Sequence, residues 1–254
     1  MKQDILYDGE KIDETGFGAM RLIQAPDEFC YGIDAVLLAD FACSFLDKPY
    51  SAVDLGTGTG IIPIVMNHKK KARRIDAVEV QHASAARAER SMRLNGLENI
   101  ISIIEADVKD INKCDAGLYA GCADMVTTNP PYVARGSGLC NGSEARFIAR
   151  QETTADLDDF VKSASWLIRE KGHFCMVHRP SRLADIICSC RKYRLEPKDI
   201  RFVSPHKESI PNIVLVHCVK GGGSELNFMK TLHVYDKDGS YSAGVMDIYE
   251  RTEK

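Results

Sequence analysis

A short apolar run at residues 51–55 ends in three alternating glycines, Gly56, Gly58 and Gly60, and passes directly into helical spacing over residues 60–67. Five residues are too few for a helix, so the run reads as a buried strand. Glycine accepts positive φ and lets backbone approach a ligand closely, so the loop joining strand to helix suits a tight, open turn. A strand that leaves through a helix must pair with a parallel neighbour reached by a crossover. All-helical and purely antiparallel architectures are thereby excluded.

The same alternation continues downstream. Residues 75–80 read as a second strand, and residues 83–94 as an Ala/Arg/Met-rich helix closed by Asn95-Gly96. Third and fourth strands follow at 100–105 and 123–128. The spacing of Leu157, Phe160, Val161, Ala164 and Leu167 predicts a helix over 156–169, capped by Asp156 and ended by Lys171-Gly172. A fifth strand is expected at 174–177, a helix opened by Pro180 and continued over 183–190, and a final strand pair at 201–203 and 213–219. The pattern predicts an α/β fold with a doubly wound, Rossmann-like sheet, mostly parallel with an antiparallel last strand. Three stretches are distinguished: an N-terminal extension at 1–48, a main domain at 49–220 and a C-terminal tail at 221–254 packing on the core. The extension holds an apolar helix at 33–41 with Asp34 as its cap. The tail starts at the flexible break Gly221-Gly222-Gly223 and adds a small strand at 232–235.

At 254 residues the chain can bury a core without disulfides or a metal. Its nine cysteines form no C-x-x-C pair, and Met1-Lys2-Gln3-Asp4 leads into no apolar leader. Reduced thiols and a cytoplasmic location are expected. No apolar stretch approaches the ~20 residues of a membrane span. The seven histidines show neither H-x-x-x-H nor H-E-x-x-H, so no metal is expected.

Asp54 sits just before the glycines, whose G-x-G-x-G spacing departs from the dinucleotide pattern G-x-G-x-x-G. A carboxylate there repels a phosphate but welcomes the cationic amino-acid portion of S-adenosylmethionine (SAM). Glu79, ending the second strand, can accept both hydroxyls of a ribose, and Asp107, past the third, an adenine amino group. Three acids at successive strand ends converge on one crevice; Asp54 and Glu79 are expected to face ligand and not core. Gly56, Thr57, Gly58 and Gly60 form the loop beneath.

Asn129-Pro130-Pro131-Tyr132 follows the fourth strand. The prolines stiffen the loop and leave the Pro130 carbonyl free to accept. With the Asn129 side-chain oxygen it can hold both hydrogens of an exocyclic NH2 and draw the nitrogen toward tetrahedral geometry. Tyr132 offers a face for a planar substrate to stack on. Positioning and electrostatics then carry the rate, with no general base needed before attack. The Gly/Ser-rich stretch 133–146 reads as a substrate-gated loop, with an ordinary surface loop as the alternative.

These residues resemble those of class I SAM-dependent amino methyltransferases with an NPPY motif, and the wider pattern is similar to the bacterial tRNA1(Val) (adenine-37-N6)-methyltransferase family. Phe29-Cys30-Tyr31-Gly32-Ile33-Asp34-Ala35-Val36-Leu37-Leu38-Ala39, residues 148–152, 178–183 and 201–205 carry that likeness. It implies a class I methyltransferase sheet, with Tyr31, Gly32 and Asp34 beside the cofactor and Val80 and Val108 joining Glu79 and Asp107 around it. It also implies adenine-N6 methylation in the anticodon loop of a tRNA. Gln151 stands where the family is expected to carry His.

Net charge is -3, an unpromising coat for nucleic acid, yet residues 133–220 carry 15 basic and 10 acidic side chains. Arg135, Arg146, Arg150, Arg179, Arg182 and Lys207 are the candidate phosphate contacts. A monomer or weak homodimer is expected. Two rival readings remain at this point. A protein glutamine-N5 methyltransferase would use the same NH2 site, although only about 48 residues precede the core here, fewer than a separate helical domain needs. A non-catalytic SAM- or RNA-binding module would not need the motif. An NAD dehydrogenase is disfavoured by the glycine spacing.

Overall fold

The structure is a computed structural model and describes residues 5–26, 31–46, 49–113, 117–132 and 155–250. A nine-stranded sheet runs through it. At its centre β3 (Tyr50–Leu55) lies between β4 (Ala72–Glu79) and β6 (Ala123–Thr128), with β5 (Ile101–Glu105) beyond β4 and β7 (Ile168–His178) beyond β6. These five are parallel. β9 (Ile213–Lys220) runs antiparallel between β7 and β8 (Leu195–Ser204), and the short β10 (Asn227–Phe228) and β11 (Leu232–His233) extend the outer edge of β8.

Side chains alternate across the strands, so each strand feeds two cores. Ala52 of β3 joins a cluster with α1 (Ile33–Cys43), α2 (Ile61–Lys69), Met92 of α3 (His82–Asn95) and the C-terminal α6 (Ala243–Ile248). Val53 and Leu55 join another, with α4 (Leu157–Leu167), α5 (Leu183–Lys192) and the 3-10 turn Val108–Lys113. Helices thus cover both faces, as the alternation predicted. The chain moves outward from β3 to β5, then returns to the other side of β3 as β6. That reversal opens a crevice at the carboxyl ends of β3 and β6. Leu55 pairs with Thr128, so Gly56 and Asn129 leave the sheet side by side.

Four expectations need correction. The helix predicted to Arg169 stops at Leu167, because Ile168 is extended, fully buried and already paired with Ala123. Burying that isoleucine between strands outweighs another half-turn of helix. The strand predicted at 174–177 therefore starts at Ile168, with a register shift opposite Ala123 and Met125 where Lys171 takes φ 62°. Asp34 does not cap α1: Gly32 is the cap residue, and Asp34 lies in the first turn. Gly221 is a turn held by its own N–H to the Arg194 carbonyl, not a loose break.

A hairpin of β1 (Lys11–Glu14) and β2 (Arg21–Gln24) was not foreseen. It is pinned to α3, whose Ser91 hydroxyl accepts from Ile23 N–H at 3.0 Å and whose Asn95 side chain accepts from Arg21 N–H at 2.9 Å. Arg90 also grips Glu10, Nη2 to Oε1 at 2.7 Å, both nearly excluded from water.

Candidate active site

The glycine loop is shaped by three left-handed residues: Gly56, Gly58 and Gly60 have φ of 74°, 57° and 92°. Side chains rarely adopt that region, which is why glycine recurs at every second position. The N–H groups of Gly56 and Thr57 both donate to the Val78 carbonyl at 2.9 Å, which folds the loop over the end of β4. Gly60 has a second reason. A Cβ there would stand 2.7 Å from Met92 Cε, so the Met92 side chain between α2 and α3 would have to shift.

Beneath the loop, Asp54 is fully buried on the α2 side of β3, so the expectation that it stands clear of the core does not hold. The Thr127 hydroxyl donates to Oδ1 at 2.7 Å, while Oδ2 has no partner among the described residues. Burial, with the Glu79 charge, pushes the carboxyl up to about 6, against the lowering effect of Thr127 and of the neighbouring Thr57 hydroxyl. Thr57 Oγ1 is likewise buried and unpartnered among the described residues. Glu79 is also buried, and its two oxygens brace the loop: Oε2 accepts from Gly58 N–H at 2.8 Å and Oε1 from Gln81 N–H at 2.9 Å. Burial raises its carboxyl as well. Each oxygen still has a lone pair to offer. Asp107 lies half-buried past β5, accepting from Lys109 N–H at 2.9 Å, with Val80 beside Glu79 and Val108 buried in the second core.

At the other lip of the crevice, Thr128 donates its hydroxyl to the Leu55 carbonyl at 2.8 Å and so ties the start of the Asn129-Pro130-Pro131-Tyr132 loop to β3. Asn129 Nδ2 reaches Asp34 Oδ2 at 3.4 Å, and the Tyr132 hydroxyl donates to the same oxygen at 2.5 Å. Burial and the Asp34 charge raise the Tyr132 phenol, so it stays protonated. The Tyr132 ring lies 5.1 Å from the His178 ring and 5.0 Å from the Arg179 guanidinium. His178 is buried, accepts the Arg179 N–H at Nδ1, and is pushed down to about 4 by burial and by Arg182 and Arg179.

Sequence reasoning brings the glycine loop, Glu79, Asp107 and the Asn129–Tyr132 loop to one crevice, and the structure has them at the carboxyl ends of neighbouring strands. It missed His178 as the second wall behind Tyr132, which no local signal marks. Asp34 is expected as a helix cap and beside the cofactor, and its grip on the Asn129–Tyr132 loop comes only from the structure. Among the basic candidates, Arg179 donates to the Asn212 carbonyl, Arg182 pairs with Asp185 at 2.7 Å, and Lys207 is exposed in the turn after β8. Arg135, Arg146, Arg150, Gln151 and the gated loop 133–146 lie outside the described residues. Among the described residues no cluster of three metal-ligating side chains occurs, and no helix is long and apolar enough to cross a membrane.

Comparison with known proteins agrees with this geometry. The tRNA1(Val) (adenine(37)-N6)-methyltransferase of Porphyromonas gingivalis strain ATCC 33277 is 28% identical over 201 residues, 78% of this chain and 74% of that protein. The protein of the same name from Parabacteroides distasonis is 24% identical over 223 residues, 86% of this chain and 90% of its own. Among solved structures, Atu636 of Agrobacterium tumefaciens, named as a predicted O-methyltransferase, superposes with a TM-score of 0.68 at 25% identity, over 87% of this chain and 98% of that one. The family model "Methyltransferase small domain" matches residues 34–185, from the first turn of α1 into α5 and across both lips of the crevice, and the chain belongs to that family.

Proposed function

We propose that this protein transfers a methyl group from SAM to the N6 amine of an adenine in tRNA, at the anticodon-loop position specified in its relatives' name. The observation that carries the reading is the pairing of Asn129 and Tyr132 at the mouth of the crevice with the glycine loop one strand away.

The residues present fit SAM. Asp54 Oδ2 and Thr57 Oγ1 are neighbouring buried polar atoms outside hydrogen-bond geometry with any described residue, and a cationic amino group relieves that cost. The spare lone pairs of Glu79 suit ribose hydroxyls, and Asp107 with Val80 and Val108 suits an adenine. When bound, SAM supplies a methyl group on a positively charged sulfur. The chain's own residues do the rest. Asn129 Oδ1 and the Pro130 carbonyl accept the two hydrogens of the target amine, which draws its lone pair out of conjugation with the ring. Tyr132 stacks the base, worth roughly 1–3 kcal/mol. Neither neighbour serves as a base: the Tyr132 phenol stays protonated, and His178 at about 4 binds protons weakly. The methylated nitrogen is acidic enough to lose its proton to water. Reaching Tyr132 requires the adenine to leave its stack, and Arg179, Arg182 and Lys207 are suited to hold the flanking phosphates.

Purified protein incubated with labelled SAM and either total tRNA, total protein or buffer tests the proposal. Nucleoside mass spectrometry should find N6-methyladenosine in the tRNA. Label in protein glutamine, or none in either, overturns it.

A further inference from the structure

We infer that Asp34 is a positioning residue for methyl transfer, which fixes the orientation of the Asn129 amide and the Tyr132 ring from outside the motif. The inference rests on the reading above, because it concerns how that site is held. An ionised carboxylate can only accept hydrogen bonds. The end of the Asn129 amide that faces Asp34 Oδ2 is therefore the NH2 end, at 3.4 Å. The amide's oxygen is turned the other way and accepts no hydrogen bond from the other described residues. Were the amide to flip, it would present two hydrogens to the substrate amine's own hydrogens, and the site would repel what it must hold.

The same Oδ2 takes the Tyr132 hydroxyl at 2.5 Å. One atom thus sets both the acceptor and the stacking face, although α1 and the motif are separated by 95 and 98 positions in sequence. Asp34 is itself held in place. Its Oδ1 accepts the Ala35 N–H at 2.9 Å, in the first turn of α1, where exposed N–H groups favour an anion. Room for the carboxylate comes from Gly32. A Cβ on that residue would lie 2.7 Å from Asp34 Oδ1, while its φ of -96° is open to any residue. Gly32 is glycine for space, not for backbone freedom.

Asp34→Asn tests this with little change of shape, since an amide can face Asn129 with either end. Gly32→Ala displaces the carboxylate without removing it, and Tyr132→Phe removes only one of its two donors. For Asp34→Asn, kcat on tRNA should fall by roughly 10–100-fold, less than the roughly 10²–10³ that outright loss of one positioned group costs, because the acceptor is misoriented and not removed. SAM affinity by calorimetry should stay within about threefold. Gly32→Ala should show the same split more weakly, and Tyr132→Phe should lose less than Asp34→Asn. The readout that needs no turnover is the Asn129 side-chain 15N–1H signal, assigned by its loss in Asn129→Ala. It should shift and exchange faster in Asp34→Asn. An unmoved signal with unchanged kcat overturns the inference. So does a kcat loss with an unmoved amide signal and weakened SAM binding, which makes Asp34 a cofactor contact alone. If the wild type methylates no tRNA while the amide signal still moves, the functional reading fails and the contact stands.

Discussion

Asp54→Asn should make the protein more stable and worse at binding SAM, and the structure sets the size of both effects. Burial holds the Asp54 carboxyl at about 6, against an ordinary 3.8. A raised carboxyl means that the folded chain binds more protons than the unfolded chain between those values. Stability from this group is therefore present at low pH and lost as pH rises from about 4 through about 6. The gap of about two pH units corresponds to ~3 kcal/mol above pH 7. Asparagine keeps an acceptor for the Thr127 hydroxyl and removes the charge. Its NH2 lies near the unpartnered Thr57 hydroxyl, which can accept from it. The variant should gain ~2–3 kcal/mol at pH 7.5, or roughly 4–12 °C in Tm for a chain of this size.

Urea unfolding of both proteins from pH 4 to 8 measures the difference directly. Subtraction matters because His178 and His217, both pushed down to about 4, act in the opposite sense: their contribution is lost as pH falls from about 6.5 toward 4. They are common to both proteins and cancel. The difference should be small at pH 4 and grow to its full value by pH 7. A difference that does not change with pH refutes the reasoning, because the carboxyl would then carry no burial cost. SAM affinity of the variant should fall at least tenfold by calorimetry at pH 7.5.

Asn129→Ala should keep SAM affinity and lose roughly 10²–10³ in kcat, read by single-turnover transfer to tRNA, since one acceptor of the amine is gone. Gly60→Ala places a side chain at φ 92° with its Cβ 2.7 Å from Met92 Cε, and should cost ~1–3 kcal/mol in urea unfolding. If about three to five phosphates are neutralised, log affinity for tRNA should fall with log salt at a slope of roughly -2 to -4. The Arg179→Ala, Arg182→Ala pair should flatten that slope in filter binding, and Lys69-Lys70-Lys71→Ala should not. Lys69 ends α2 in a pair with Asp40 at 2.9 Å, away from the strand ends that form the crevice.

Elements with a local cause were legible in the chain. The glycine loop announced itself because positive φ at alternate positions demands glycine, and α4 because the cap residue Asp156 precedes apolar spacing; its reciprocal bond with Asp159 came only from the structure. The motif at Asn129 was readable from the chemistry of its acceptors. Features settled by distant partners were not. The β1–β2 hairpin has four-residue strands with no turn signature strong enough to name, and it owes its place to Ser91, Asn95 and Arg90 of α3. The end of α4 fell two residues short of its periodicity because Ile168 found a fully buried place in the sheet.

The site divides along the same line. Sequence alone determined which residues could do chemistry and at which strand ends they stand, because strand alternation and the glycine loop place them through local geometry. Tertiary structure decided what each one does. Asp54 lies on the side of β3 that packs against α2, so it became a buried acid with one oxygen held by Thr127 and the other without a hydrogen-bond partner among the described residues. Glu79 became a brace for the loop as well as a candidate ligand contact. Asp34 read as a helix cap from its neighbours, yet one of its oxygens holds Asn129 and Tyr132 across the crevice. A carboxylate's role follows from which donors surround it, and those donors arrive from other parts of the chain only when the sheet closes.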